Sequence, residues 1–269
     1  MTRFILTLTV ALTVMTASAE KPDPTTSSQS CTDINAVFIG NSITQGAIMK
    51  EPEKNSPPAQ CAQLLGQAQG IGTVAMFNAG VSGRTTVDFL PGENPMFNRI
   101  AEGAASLKNA RPEAVTVFSM MLGTNDSASK GPTGSPVSDA DYKKNISLII
   151  DSLQARFPDA IFILHRPVWY SANTHNGAVY LEEGQRRLDG YYTCLKELVG
   201  NYSQTNPGHV FMGDTDAYEH FRSAHKEEMF AEKGYSGTFY LHPNIEGAKA
   251  LARFWADAIL RAVRPSAGQ

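Results

Sequence analysis

The chain has 269 residues, 42% of them hydrophobic and 18% charged, with 22 Gly and 15 Pro. That balance excludes a disordered or collagen-like chain, and the length favours one large α/β domain over two small ones. A formal net charge of −3, without a basic arm, an arginine-rich helix or zinc-knuckle spacing, argues against nucleic acid as a partner.

In chain order, the first segment reads as a targeting signal. Arg3 supplies a short positive region, Phe4 to Met15 is a nearly unbroken apolar and threonine run, and Ala17-Ser18-Ala19 is a small-x-small cleavage pattern. The run is too short to span a bilayer comfortably, so stable membrane insertion is not expected. No Cys follows it at a lipobox position. Residues 1–19 are thus read as a signal peptide, 20–32 as a linker and 33–265 as the domain, with the protein exported to the periplasm or the medium. Export permits a disulfide. Cys31, Cys61 and Cys194 are an odd number without C-x-x-C spacing, and one pair plus a leftover or three buried thiols are both open. They do not form a metal site.

Five apolar runs follow: Ala36 to Ile39, Thr73 to Phe77, Ala114 to Phe118, Ala160 to Leu164 and Val210 to Met212. Continuous runs of this kind suit strands buried on both faces of a parallel sheet. Helical patterns lie between and after them. Pro57-Pro58 opens one through Cys61, Leu64 and Leu65. A second, capped by Asp139 or Asp141, carries Ile146, Ile149, Ile150 and Leu153. A third runs from about Val179 to Leu198, and the last, from Ile245 to Ile259, has an apolar stripe at helical steps. The alternation predicts a three-layer α/β/α domain on a five-stranded, mostly parallel sheet. In such sheets ligands sit beyond the carboxyl ends of the strands, so reactive residues should follow the runs.

They do. Gly40-Asn41-Ser42-Ile43-Thr44 follows the first run; a serine at a sharp strand-to-helix turn can expose its hydroxyl, or it can simply cap the helix. Asn78-Ala79-Gly80-Val81-Ser82-Gly83 follows the second, with glycines that let backbone N–H groups approach a ligand or that merely turn the chain. Gly123-Thr124-Asn125-Asp126 follows the third, where Asn125 offers an uncharged donor for an oxyanion or an ordinary Asx turn. Leu241-His242-Pro243-Asn244 precedes the last helix, and Pro243 holds His242 extended.

These four blocks, GNSIT, NAGVSG, GTND and LHPN, in this order and at these strand ends, resemble those of the SGNH (GDSL-like) hydrolase superfamily. The resemblance runs from about Ala36 to Ile259, and it is nearest to exported GNSIT-type carbohydrate esterases and sialate O-acetylesterase-like proteins. It implies a flavodoxin-like fold without a metal or organic cofactor. It also implies Ser42 as nucleophile, the Ser42 amide, the Gly83 N–H and the Asn125 side chain as oxyanion donors, and His242 as general base. The implied substrate is a small-molecule or polysaccharide ester.

The block around the histidine departs from the family pattern. D-x-x-H would put an aspartate three residues before His242, where Phe239 stands. A Ser–His dyad held by a backbone carbonyl is the favoured expectation. A carboxylate from Asp214, or from Asp216, both just past the fifth strand, is the next. The loop after the fourth strand, His165-Arg166-Pro167-Val168-Trp169-Tyr170 with Asn173, His175 and Asn176, suits a sugar, although its aromatics can equally be buried and Arg166 can be an ion-pair partner. The expected reaction is removal of an acetyl or other short acyl group from a carbohydrate. A non-catalytic carbohydrate-binding protein is the rival reading. A metallophosphoesterase would want more Asp and His at the strand ends.

Overall fold

The computed structural model describes residues 31–264; the segment read as a signal peptide and most of the linker lie outside the described residues. Strand β1 (Thr32–Gly40) leads into a short helix α1 (Ser42–Gln45), then α2 (Pro52–Asn55) and α3 (Pro57–Gly66). Strand β2 (Ile71–Asn78), a 3-10 turn (Thr86–Phe89), α4 (Pro95–Ala110), β3 (Val115–Met121), α5 (Asp139–Arg156) and β4 (Ile161–Leu164) follow. The chain continues through α6 (Leu181–Thr205), β5 (Val210–Met212) and α7 (Ala217–Glu228). A two-stranded hairpin, β6 (Glu232–Gly234) with β7 (Gly237–Phe239), leads to the last helix, α8 (Ile245–Val263).

The main sheet is parallel throughout, in the order β2-β1-β3-β4-β5. Successive side chains of a strand point to opposite faces, and the central strands show it. Val37, Ile39, Phe118, Met120, Phe162 and Leu164 meet α4, α5 and α6 on one face. Ile34, Ala36, Phe38, Val117, Met121 and Ile163 meet α3, α7 and α8 on the other. Two covered faces are why these strands read as unbroken apolar runs. On α8, Ala248, Leu251, Ala252, Trp255 and Ile259 are buried, and Trp255 stacks on Phe38 at 5.8 Å. Burial of each large side chain of this kind contributes about 1.5–3 kcal/mol.

Several boundaries differ from the expected ones. β1 already begins at Thr32, whose N–H bonds Gly70 O and which pairs with Ile71, so the sheet takes the last residue of the segment read as linker. Ser138, rather than Asp139 or Asp141, caps α5, its Oγ accepting the Asp141 N–H. The third helix starts at Leu181 and runs on to Thr205. Cys61 and Cys194 are buried in opposite core layers, which excludes a bond between them. No helix among the described residues is long and apolar enough to cross a membrane.

Strand order reverses between β1 and β3, since β2 was added on one side of β1 and β3 to β5 on the other. That switch point opens a crevice at the carboxyl ends of these two strands. β1 ends at Gly40 and β3 at Met121, and the first and third sequence blocks emerge there.

Candidate active site

The turn after β1 is built from residues with little room to change. A Cβ on Gly40 would lie 2.0 Å from Thr44 Oγ1, so the first position of the block must be glycine. Asn41 caps α1, its Oδ1 accepting the Ile43 N–H at 3.1 Å. Ser42 is therefore the first residue of a helix, where the backbone N–H has no intrahelical acceptor. The second block fastens this turn from the side. Asn78 Nδ2 donates to Thr44 O at 2.9 Å, the Ser82 N–H to Gln45 Oε1 at 2.9 Å, and the Val81 N–H to Gly40 O at 3.0 Å. Gly80 lies so close to α1 that a Cβ would meet Gln45 N at 2.4 Å.

Ser42 and His242 come together across 200 residues of chain: Ser42 Oγ lies 2.8 Å from His242 Nε2. Both are largely buried, at 8% and 9% exposure. The imidazole is not held by a backbone carbonyl, nor by Asp214 or Asp216. Glu232, the first residue of β6, lies with Oε1 2.8 Å from His242 Nδ1, and the same oxygen accepts the His242 main-chain N–H at 3.2 Å. The Phe230 N–H donates to His242 O at 2.9 Å, and Glu232 pairs with Phe239 in the hairpin. With Nδ1–H donating to the carboxylate, Nε2 is left to accept the serine proton.

Asp214 serves elsewhere. Its carboxylate accepts the N–H groups of Asp216 and Ala217 at the start of α7, and its own N–H donates to His165 Nδ1 at 3.0 Å. Burial raises its carboxyl above the usual range, partly offset by the two backbone donors. Asp216 stands at the N-cap position of α7, but its side chain makes no capping hydrogen bond there; the Asp214 carboxylate does. His165 is buried between the sheet and Trp255, with Nε2 2.8 Å from Ser119 Oγ, and burial pushes its pKa down to about 3. This second Ser–His contact is part of the core.

Gly83 and Asn125 reach the same cleft, about 360 Å³ in volume, that Ser42 and His242 line. Gly83 has φ 75°, a left-handed value that suits glycine, with nothing within 4 Å of where a Cβ would stand. Among the described residues its N–H has no acceptor. Asn125 Nδ2 donates one proton to Arg84 O at 2.9 Å, leaving the other for the cleft. Its Oδ1 accepts from Tyr180 Oη at 2.7 Å, which fixes which end of the amide carries the nitrogen. Burial raises the Tyr180 pKa well above its ordinary value and keeps this hydroxyl a donor. Next to Asn125, Asp126 has its carboxyl raised to about 6 by burial, partly offset by Thr86, whose N–H and Oγ1–H both reach Oδ1. That contact ties the loop after β2 to the loop after β3.

The loop after β4 divides. Arg166 pairs with Asp189 at 3.0 Å and lies over the rings of Tyr218 and Tyr192, so it is an ion-pair partner. Tyr170 is fully buried with its hydroxyl 2.9 Å from Ser127 Oγ, and Trp169 is partly buried, packed against both core clusters and the His225 ring. Neither lines the cleft, whereas Asn176, Gly177, Ala178 and Tyr180 do. Among the described residues no group of three His, Cys, Asp or Glu side chains converges to hold a metal ion. Glu232 and Tyr180 are the site residues that sequence reasoning missed.

A hydroxyl, an imidazole and a carboxylate hydrogen-bonded in line, at the carboxyl end of a flavodoxin-like sheet, is the arrangement of a serine hydrolase. The model of the GDSL-like lipase/acylhydrolase family matches residues 38–250, and the chain belongs to that family. Solved structures share the fold. The lipase/acylhydrolase from Enterococcus faecalis is 18% identical with a TM-score of 0.54, over 87% of this chain and 99% of that one. Est24, a carbohydrate acetylesterase from Sinorhizobium meliloti, is 14% identical with a TM-score of 0.54, over 84% and 98%. A catalytic mutant of Axe2, an acetylxylan esterase from Geobacillus stearothermophilus, is 22% identical with a TM-score of 0.53, over 86% and 94%. No curated protein matches the sequence.

Proposed function

We propose that the protein is an exported esterase that removes acetyl or another short acyl group from a carbohydrate through an acyl-enzyme on Ser42. The observation that carries this reading is the line Ser42 Oγ, His242 Nε2, His242 Nδ1, Glu232 Oε1, with 2.8 Å at each hydrogen bond. A serine hydroxyl is a weak nucleophile until a neighbouring base takes its proton. His242 accepts that proton as Oγ attacks the ester carbonyl, and Glu232 stabilises the imidazolium that forms. The negative oxygen of the tetrahedral intermediate faces the N–H groups of Ser42, Gly83 and Asn125. His242 then returns the proton to the leaving alcohol, and water repeats the cycle on the acyl-enzyme.

The cleft supports a short acyl group. Gly83, Gly131, Pro132, Gly177 and Ala178 supply much of its wall, and Leu241 is its one large aliphatic residue. The non-catalytic reading drew on the missing D-x-x-H aspartate, and Glu232 removes that support. Export rests on the N-terminal pattern alone. Acetate release from a panel of acetylated sugars and polysaccharides, run beside p-nitrophenyl acetate, tests the proposal. Release from at least one sugar ester is expected. Hydrolysis of the aryl acetate alone would point to a different alcohol, and inertness toward both would restore the binding protein.

Two substitutions probe the oxyanion donors. Asn125→Ala should lower kcat by two to three orders of magnitude with the fold intact, since one preorganised donor is worth about 2.7–4 kcal/mol. Unchanged kcat in a folded variant would remove Asn125 from the site. Tyr180→Phe should act through Asn125. Losing the hydrogen bond that aims the amide is expected to lower kcat roughly tenfold, for about 1.4 kcal/mol, with KM little changed. A rise in KM at constant kcat would instead make Tyr180 a substrate contact.

A further inference from the structure

We infer that Tyr235, backed by His175, is a stacking platform for a sugar ring neighbouring the one that carries the ester, so that the preferred substrate is an acetylated oligosaccharide or polysaccharide. This rests on the carbohydrate esterase reading and extends it.

Tyr235 stands at the tip of the β6–β7 hairpin, between the paired residues Gly234 and Gly237, and is 81% exposed. The other exposed large hydrophobic side chains among the described residues, Ile48 and Leu148, are less open, at 58% and 38%. A two-residue hairpin turn favours Asn, Asp or Gly, so turn geometry gives no reason for an aromatic ring. The ring is nevertheless backed on one side. It packs on His175 with centroids 5.0 Å apart, and the Tyr235 N–H donates to His175 O at 2.8 Å. Asn173 Nδ2 reaches both Ser236 O at 3.1 Å and Thr238 O at 2.7 Å. Ser236 Oγ lies 3.4 Å from His175 Nδ1.

Both elements that hold the ring end in the site. The hairpin begins at Glu232, which carries the imidazole. The loop continues from His175 directly into Asn176, Gly177 and Ala178, which line the cleft. Two residues, Lys233 and Gly234, separate Glu232 from Tyr235, and the three steps make about 10 Å of extended chain. Tyr235 does not line the cleft itself, so its ring suits a neighbouring sugar rather than the acyl group. A pyranose presents C–H groups on one face, which match an open aromatic face backed by the His175 ring.

The test compares kcat/KM on acetylated xylose, acetylated xylotriose and p-nitrophenyl acetate. The wild type should favour the trisaccharide over the monosaccharide. In Tyr235→Ala the ratio of trisaccharide to aryl acetate kcat/KM should fall about tenfold, mainly through KM. Tyr235→Trp should restore it. A wild-type ratio in Tyr235→Ala, with acetate still released from both sugars, overturns the platform and leaves the carbohydrate esterase reading standing. An equal loss on all three substrates also overturns it, because the ring would then be only a support for the hairpin. If the wild type cleaves the aryl acetate but no acetylated sugar, platform and carbohydrate reading fall together.

Discussion

Ser42→Ala should lower ester hydrolysis by about five to six orders of magnitude, the scale seen when the nucleophile of a serine hydrolase is removed. Without the hydroxyl no acyl-enzyme forms, and the amides of Ser42 and Gly83 with Asn125 can only polarise the carbonyl toward a stray water. Stability should hardly change. Ser42 is the first residue of α1, Asn41 supplies the cap, and Ser42 Oγ bonds His242 alone. Burst kinetics with p-nitrophenyl acetate and a thermal melt check both halves. Residual turnover above about 1% of wild type in clean protein would mean that another group attacks the ester.

Glu232→Gln should lower kcat by about 10³–10⁴, as expected when the carboxylate that sets a catalytic histidine's tautomer becomes an amide. Gln can turn its NH2 toward Nδ1, which favours the tautomer with the proton on Nε2, and that nitrogen then no longer accepts from Ser42. Asp214→Asn should retain wild-type turnover, because Asp214 caps α7 and meets His165. The two variants measured side by side separate the candidate acids. Near-normal kcat in Glu232→Gln would return the dyad.

Much of this was legible in the chain itself. β1, β3 and β4 lie between two helical layers and can tolerate few polar residues, so Val37 to Ile39 or Phe162 to Leu164 stand out as unbroken apolar runs. Ser42, Gly83, Asn125 and His242 were picked out by the resemblance of four short blocks taken together, since each block alone also fits a cap, a turn or an extended residue. The structure brings all four to one cleft. Glu232 was not so marked. It acts through a tertiary contact from a hairpin with three residues per strand, Glu-Lys-Gly against Gly-Thr-Phe, too short and polar to show a period. Tyr180 looks like any aromatic at a helix start until its hydroxyl is found on Asn125. For Trp169 and Tyr170 the chain left both readings open, since an aromatic beside Asn and His reads alike whether it faces a ligand or the core; Tyr170 proves fully buried and Trp169 partly so.

His242 and Glu232 are 10 positions apart in the chain, whereas His242 and Ser42 are 200 apart. Closing the small loop costs little conformational entropy, and a twentyfold longer one costs more only logarithmically, about 2–3 kcal/mol. Orientation of the imidazole is thus a local property, made by one hairpin and its return to α8. Its meeting with the hydroxyl depends on the whole succession of strands and crossovers between them. Partial loosening of the sheet would part serine from histidine while histidine and glutamate stay together.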